Sequence, residues 1–221
     1  MEENKSKLLI TEDGSHTLYN PDIDESYHST HGAIQESKFI FIDKGLNYAP
    51  KSEVRILEIG FGTGLNALLS YVNAIENKKI IHYTTLELFP IDKDLVTQLN
   101  FCKFEISDYQ TVFEEMHALE WEVEHKLSPT FTLRKIKADF CKIDLDRSFD
   151  IVYFDAFSPE KQAEMWTSEQ FNKIYASCNN EAVLTTYCAK GYVRRNLINA
   201  GFKVERLQGP PGKREILRAI K

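Results

Sequence analysis

From residue 54 to the C-terminus, short β-type apolar runs alternate with stretches of helical periodicity, and this alternation is the strongest constraint on the fold. Residues 54–59, 80–88, 131–138, 149–155 and 182–186 read as strands. Residues 65–75, 91–99, 109–121, 168–177 and 192–199 read as helices, with Thr167 or Ser168 as N-cap of the fourth. Strands separated by helices require right-handed crossovers, hence a mostly parallel sheet with helices on both faces. The final pair, 202–207 and 215–220, is joined by a turn-rich segment too short for a crossover, so the last strand is expected to run antiparallel. The predicted fold class is therefore α/β, with its core at 54–221. Residues 1–53, with turn signals at Asp13-Gly14 and Asn20-Pro21 and the apolar run Phe39-Ile40-Phe41-Ile42, read as a lead-in or cap on the same domain.

With 43% hydrophobic and 27% charged residues, the composition is that of an ordinary globular domain and excludes a disordered tail or a collagen-like rod. No apolar run approaches the ~18–20 residues of a membrane span, and MEENKSKLLITEDGS lacks a signal-peptide core, so a cytoplasmic protein without a membrane partner is expected. Cys102, Cys141, Cys178 and Cys188 have no paired spacing, which argues against structural zinc and a disulfide framework. His28 and His31 lack acidic or thiol neighbours in sequence and read as loop residues, so no metal is expected. Net charge is −6, unevenly spread: residues 190–221 hold nine basic and two acidic residues, leaving −13 on 1–189. Either a solvated basic face or a surface for a polyanion fits that asymmetry.

In an open sheet of this kind, ligands bind beyond the carboxyl ends of the strands. The first core strand ends in Glu58-Ile59-Gly60-Phe61-Gly62-Thr63-Gly64-Leu65-Asn66. Such glycines allow a tight turn and close backbone approach to a ligand, ahead of a helix offering free N–H groups. Gly62, Gly64 and Ala67 also satisfy a dinucleotide fingerprint, with Glu87 about 20 residues on, so a nicotinamide enzyme is a rival reading. Glu58 favours S-adenosylmethionine instead, because a carboxylate there can pair with the donor's cationic amino group. Glu87, at the end of the second strand, is placed to accept both ribose hydroxyls. Asp139, after the third, is placed for the adenine amino group with Phe140 beside the ring. The fourth strand is apolar on both faces, hence central, and delivers Asp155 into the crevice.

Four motifs in order then carry a specific resemblance: Tyr27-His28-Ser29 with Gly32-Ala33 and Glu36-Ser37; the glycine segment 58–66; Asp155-Ala156-Phe157-Ser158-Pro159-Glu160-Lys161 with Met165-Trp166; and Gly209-Pro210-Pro211-Gly212-Lys213-Arg214-Glu215. From about Thr17 to Lys221 the chain resembles the methyltransferase domain of the bacterial enzyme family that completes 5-methylaminomethyl-2-thiouridine at the tRNA wobble position. In many bacteria that domain is fused to a flavin-dependent oxidase; 221 residues leave no room for one, so a stand-alone methyltransferase is expected.

The resemblance implies a class I, Rossmann-like S-adenosylmethionine-dependent fold and N-methylation of 5-aminomethyl-2-thiouridine in tRNA. It implies that Glu58, Gly60, Gly62, Gly64 and Asn66 line the methionine end of the donor. Glu87 would hold the ribose between Leu88 and Phe89, Asp139 and Phe140 would meet the adenine, and Asp155 with Ala156 would lie at the reacting centre. Tyr27, Glu36, Phe157 and Ser158 are expected around the uridine, with Tyr27 and Phe157 stacking on the splayed-out base. Arg194, Arg195, Lys213 and Arg214 are expected on the tRNA. Asp155 is expected to position the amine and to accept its proton secondarily. The alternatives are an NAD-dependent oxidoreductase on the same glycine loop and a non-catalytic tRNA-binding protein.

Overall fold

The computed structural model describes residues 6–104, 106–145 and 148–221. Strands β1 (Lys7–Ile10), β2 (His16–Asn20) and β3 (Glu25–Ser26) form a small antiparallel sheet. Helix α1 (Ala33–Ser37) runs into a nine-residue π-helix, Lys38–Leu46, in which Asn47 N donates to Ile42 O at 2.8 Å. The apolar run 39–42 thus lies in this wide helix, which buries Ile40, Phe41 and Ile42.

The main sheet comprises β4 (Glu53–Ile59), β5 (Ile80–Glu87), β6 (Glu124–Ser128), β7 (Phe131–Lys137), β8 (Phe149–Phe154), β9 (Cys178–Thr186), β10 (Lys203–Gln208) and β11 (Glu215–Ile220). Their order across the sheet is β10-β11-β9-β8-β4-β5-β7-β6. β4, β5, β7, β8 and β9 pair in parallel, whereas β11 lies antiparallel between β9 and β10, as the short terminal connection demands. Helices α2 (Leu65–Asn77), α3 (Lys93–Val96), α4 (Gln110–Ala118), α5 (Ser168–Ser177) and α6 (Gly191–Asn199) complete the crossovers. Thr167 Oγ1 accepts from Gln170 N, the cap expected for α5.

The sequence carries no strand signal for β6. It is a charge-rich edge strand pairing antiparallel with β7 through a bulge, and edge strands need no apolar alternation. Successive side chains of a strand face opposite sides, so each strand feeds two cores. Ile56, Tyr83, Leu133, Ile151 and Tyr153 pack with Leu18 and Phe41 from the N-terminal segment. Leu57, Val152, Phe154 and Leu184 pack with Trp166, Phe171 and Leu197 on the other side. Every residue of β8 is buried, which fixes the strand at the centre and aims its carboxyl end at the glycine turn.

Candidate active site

The turn after β4 is wedged between the ends of β5 and β8. Gly60 N donates to Leu86 O at 3.0 Å and Asp155 N donates to Ile59 O at 3.1 Å. Gly60 has φ 93°, and a Cβ there would stand 2.9 Å from Asp155 O. Gly64 has φ 76°, and a Cβ would stand 2.6 Å from His117 Nε2. Only glycine fits either position. Glu87 locks the turn: Oε2 accepts from Gly62 N at 3.0 Å and Oε1 from Phe89 N at 2.8 Å. Two histidines grip the loop at Thr63. His28 Nε2 is 2.6 Å from Thr63 Oγ1, and His117 Nε2 donates to Thr63 O at 3.0 Å. Burial pushes both imidazoles down to about 4, so both are neutral near pH 7. His28 thus lies in a loop, as expected from the sequence, and is a buried support of the glycine turn.

Above this turn opens a cavity of about 960 Å³. Gly60, Gly62, Asn66, Glu87, Leu88, Phe89, Asp139, Phe140, Asp155 and Ala156 line it, together with Tyr27, Glu36, Phe157 and Lys213. Six residues expected at the site stand off its wall. Glu58 is fully buried in the sheet, in register with Thr85 and Tyr153, because the strand pleat turns it inward. Its carboxyl is enclosed by Thr85, Asn66 and Tyr83, and burial raises its pKa well above the usual carboxylate range. It therefore has no direct path to a donor's amino group. Gly64 lies beneath the loop against His117. Ser158 donates through N (3.0 Å) and Oγ (2.8 Å) to Glu25 Oε2, pinning β3 over the cavity. Arg194, Arg195 and Arg214 lie on the outer surface, the last two exposed.

Residues not singled out from sequence also take part. Tyr187 follows the carboxyl end of β9, where the strand-end rule would have located it; its hydroxyl donates to Ala156 O at 2.9 Å. Glu25 and Cys141 line the cavity without any local sequence signal, and Met165, part of the motif after Asp155, lines it too.

Charge decides what such a cavity can hold. Among the described residues, Asp22, Glu25, Glu36, Glu87, Asp139, Asp155 and Glu164 line it against only Lys142 and Lys213. A dinucleotide would bring a pyrophosphate toward seven carboxylates, at a turn where Glu87 already occupies the Gly62 N–H. A cationic ligand suits it. Asp155 has the most perturbed carboxyl on the wall: burial pushes it up to about 7, with Glu36 adding to the rise. Asn66 Nδ2, donating to Asp155 Oδ2 at 2.8 Å, and Lys213 act in the opposite sense. At the other end Asp139 is held below its usual range by Lys142 (2.9 Å), with Cys141 N also donating to it. Tyr27 and Phe157, both on the wall, meet edge-to-face with 5.0 Å between centroids.

A family model described as S-adenosyl-L-methionine-dependent methyltransferase matches residues 98–221. The chain belongs to that family. Its methyl donor is S-adenosyl-L-methionine, a sulfonium whose positive charges complement the acidic cavity. The residues present fit it: carboxyl groups predominate on the wall, and Asn66 lines it with Nδ2 bonded to Asp155. Glu87 keeps carboxylate lone pairs beyond its two backbone bonds. The tRNA 5-methylaminomethyl-2-thiouridine biosynthesis bifunctional protein MnmC of Campylobacter hominis is 32% identical over 213 residues, covering 91% of this chain and 31% of that relative. The chain thus spans about a third of the length of the curated relatives it matches. The crystal structure of MnmC2 from Aquifex aeolicus matches with a TM-score of 0.83 at 26% identity, over 99% of this chain and 71% of the other. Spermidine synthase from Thermotoga maritima shares the fold at a TM-score of 0.53 and 12% identity, over 100% of this chain and 70% of the other. Among the described residues no helix is long and apolar enough to cross a membrane.

Proposed function

We propose that this methyltransferase acts on tRNA at the wobble uridine, methylating the primary amine of 5-aminomethyl-2-thiouridine to give 5-methylaminomethyl-2-thiouridine. The observation that carries the reading is Asp155, a half-buried carboxyl group directly after the central strand, facing an acidic cavity with an aromatic pair on its wall. The names of the relatives, which match nearly the whole of this chain, support the same substrate.

When bound, S-adenosylmethionine supplies an electrophilic methyl group on sulfur. Gly60, Gly62 and Asn66 would hold its methionine end and Glu87 its ribose, flanked by Leu88 and Phe89. Asp139 and Phe140 would meet the adenine. The acceptor must present a lone pair. For an amine of lysine-like pKa, about 10.4, deprotonation at pH 7 costs roughly 4–5 kcal/mol. Asn66 fixes one oxygen of Asp155, leaving Oδ1 to orient the amine and to take the proton released after transfer. The amine lone pair forms the N–C bond as the C–S bond breaks, its electron pair leaving on sulfur; the product ammonium then sheds one proton. Tyr27 and Phe157 would stack on the extruded base. Arg195 and Arg214, both exposed, would meet the phosphate backbone.

The test is direct. Purified protein is incubated with S-adenosylmethionine and tRNA from a strain lacking its gene, and the nucleosides are analysed by mass spectrometry. Conversion of 5-aminomethyl-2-thiouridine to its N-methyl form is expected. Methylation of another nucleoside, or of none, overturns the reading.

A further inference from the structure

Of the two lysines that line this mostly acidic cavity, Lys213 is the one whose charge acts on Asp155, and the fold holds it there firmly. It sits in the turn joining β10 and β11, where Gly209 N donates to Arg214 O (3.1 Å) and Lys213 N to Pro210 O (2.9 Å). Gly212, at φ 82°, is pressed against the His31 ring so closely that no Cβ could be added. The ammonium group lies 3.2 Å from Glu36 Oε2 and 4.6 Å from the centre of the Tyr187 ring. Glu36 is itself 9% exposed and accepts from Ser29 N at 3.1 Å. Tyr187 is anchored on Ala156 O, the residue after Asp155. These interactions come from three separate parts of the chain and converge beside the reacting centre.

A lysine placed to grip an RNA phosphate would be exposed and free of carboxylates. Lys213 is neither: its side chain is one-quarter exposed and already paired. The field of the cavity poses a different problem. Seven carboxylates attract a cation, and so hold an incoming amine as ammonium, which has no lone pair to attack with. A fixed positive charge close by acts against protonation, as it does for other amine nucleophiles set beside a cationic group.

Resting on the amine-methylation reading above, we infer that Lys213, held by Glu36 and Tyr187, is an electrostatic element of the reaction that keeps the acceptor amine unprotonated, and is not a tRNA-backbone contact. Without it Glu36 becomes an uncompensated carboxylate beside Asp155, and both then favour the ammonium. The groups that face Lys213 or feel its charge are Glu36 on α1, Asp155 after β8, and Tyr187 and Cys188 after β9; Glu25 on β3 acts on the same Tyr187 and Cys188, and His31 lies against the neighbouring Gly212. Of these, only Glu36 forms an ion pair with it.

The pair makes a prediction of opposite signs. The pH dependence of kcat/KM from pH 6 to 9.5 is measured on tRNA carrying 5-aminomethyl-2-thiouridine, for the wild type, Lys213→Met, Lys213→Arg, Glu36→Gln and the Glu36→Gln/Lys213→Met double variant. Lys213→Met should move the rising limb up by about one pH unit, about a tenfold loss at pH 7 that fades at high pH. Glu36→Gln should move the limb down. The double variant should return toward the wild-type limb, and Lys213→Arg, which keeps the charge, should retain it. Folding of each variant is checked by thermal melting; should Lys213→Met not fold, the downward shift of Glu36→Gln and the retained limb of Lys213→Arg carry the test. A raised tRNA KM with a shallower salt dependence and an unmoved limb would make Lys213 a backbone contact and overturn the inference. So would unshifted limbs throughout. A wild type that transfers no methyl group to this tRNA instead overturns the functional reading, a separate outcome.

Discussion

Asp155→Asn should make the ligand-free protein more stable at neutral pH while removing most of its activity. The wild-type carboxyl is raised from 3.8 to about 7 by burial beside the cavity. Because the folded value lies above the unfolded one, the folded protein holds a proton that the unfolded chain releases. The associated stability is complete below pH 3.8 and is lost as pH rises to about 7. A shift of about three units corresponds to at most ~4 kcal/mol, and since the carboxyl faces a cavity that water can enter, about 2 kcal/mol is expected. For a chain of this size that is a rise in Tm of about 4–8 °C at pH 8, with little difference at pH 4. The substitution preserves shape, and Asn66 Nδ2, which donates to Asp155 Oδ2, can donate equally to the oxygen of the new amide. The assay is calorimetric melting of both proteins from pH 4 to 8 without ligand, beside turnover at saturating donor and tRNA. We expect kcat to fall by at least ~10²-fold, the range for lost positioning and proton acceptance. Parallel stability curves would refute the burial argument; near-normal turnover would refute the role in chemistry.

Glu87→Gln removes the charge that closes the glycine turn on Gly62 N and Phe89 N and that, in the proposed reading, would hold the donor's ribose. S-adenosylhomocysteine affinity, measured by titration calorimetry, should fall by about 1.5–3 kcal/mol, roughly 10–150-fold. Gly64→Ala sets a methyl group against His117 Nε2 in a left-handed backbone and should lower both Tm and donor affinity, seen together in thermal melts with and without S-adenosylhomocysteine. Arg195→Glu with Arg214→Glu should raise the tRNA KM and reduce the slope of log affinity against log salt by ~0.7–0.9 for each phosphate the two arginines neutralise, leaving donor affinity unchanged. An unaltered salt slope would make these two arginines part of a solvated face.

The basic C-terminal segment shows what a charge count leaves out. Its +7 looks like one surface, yet Lys190 pairs with Glu160, Lys213 with Glu36, Arg218 with Glu205 and Arg206 with Glu215. Two of those acids come from outside the segment, and no local pattern announces which lysine will meet which carboxylate. What remains for a polyanion is a smaller set, with Arg195 and Arg214 exposed.

The sequence alone determined the main sheet apart from its edge strand β6, and the strand ends over which the cavity opens. Apolar runs of period two, helical spacing between them and a terminal connection too short for a crossover lead to the parallel centre and antiparallel end of the sheet. Three alternating glycines and a strand apolar on both faces mark where the carboxyl ends meet. These signals are local, carried by residues within a few positions of one another. Which side chains reach the cavity was not local. Glu58 reads as a donor ligand by its spacing, but the pleat of a strand packed on both faces turns it into the core. Tyr187, Glu25 and Lys213 reach the site only because distant strands end together and a hairpin folds back over them. Spacing along a chain specifies a backbone turn; only packing in three dimensions decides which face of that turn is wet, and therefore which charges a ligand will meet.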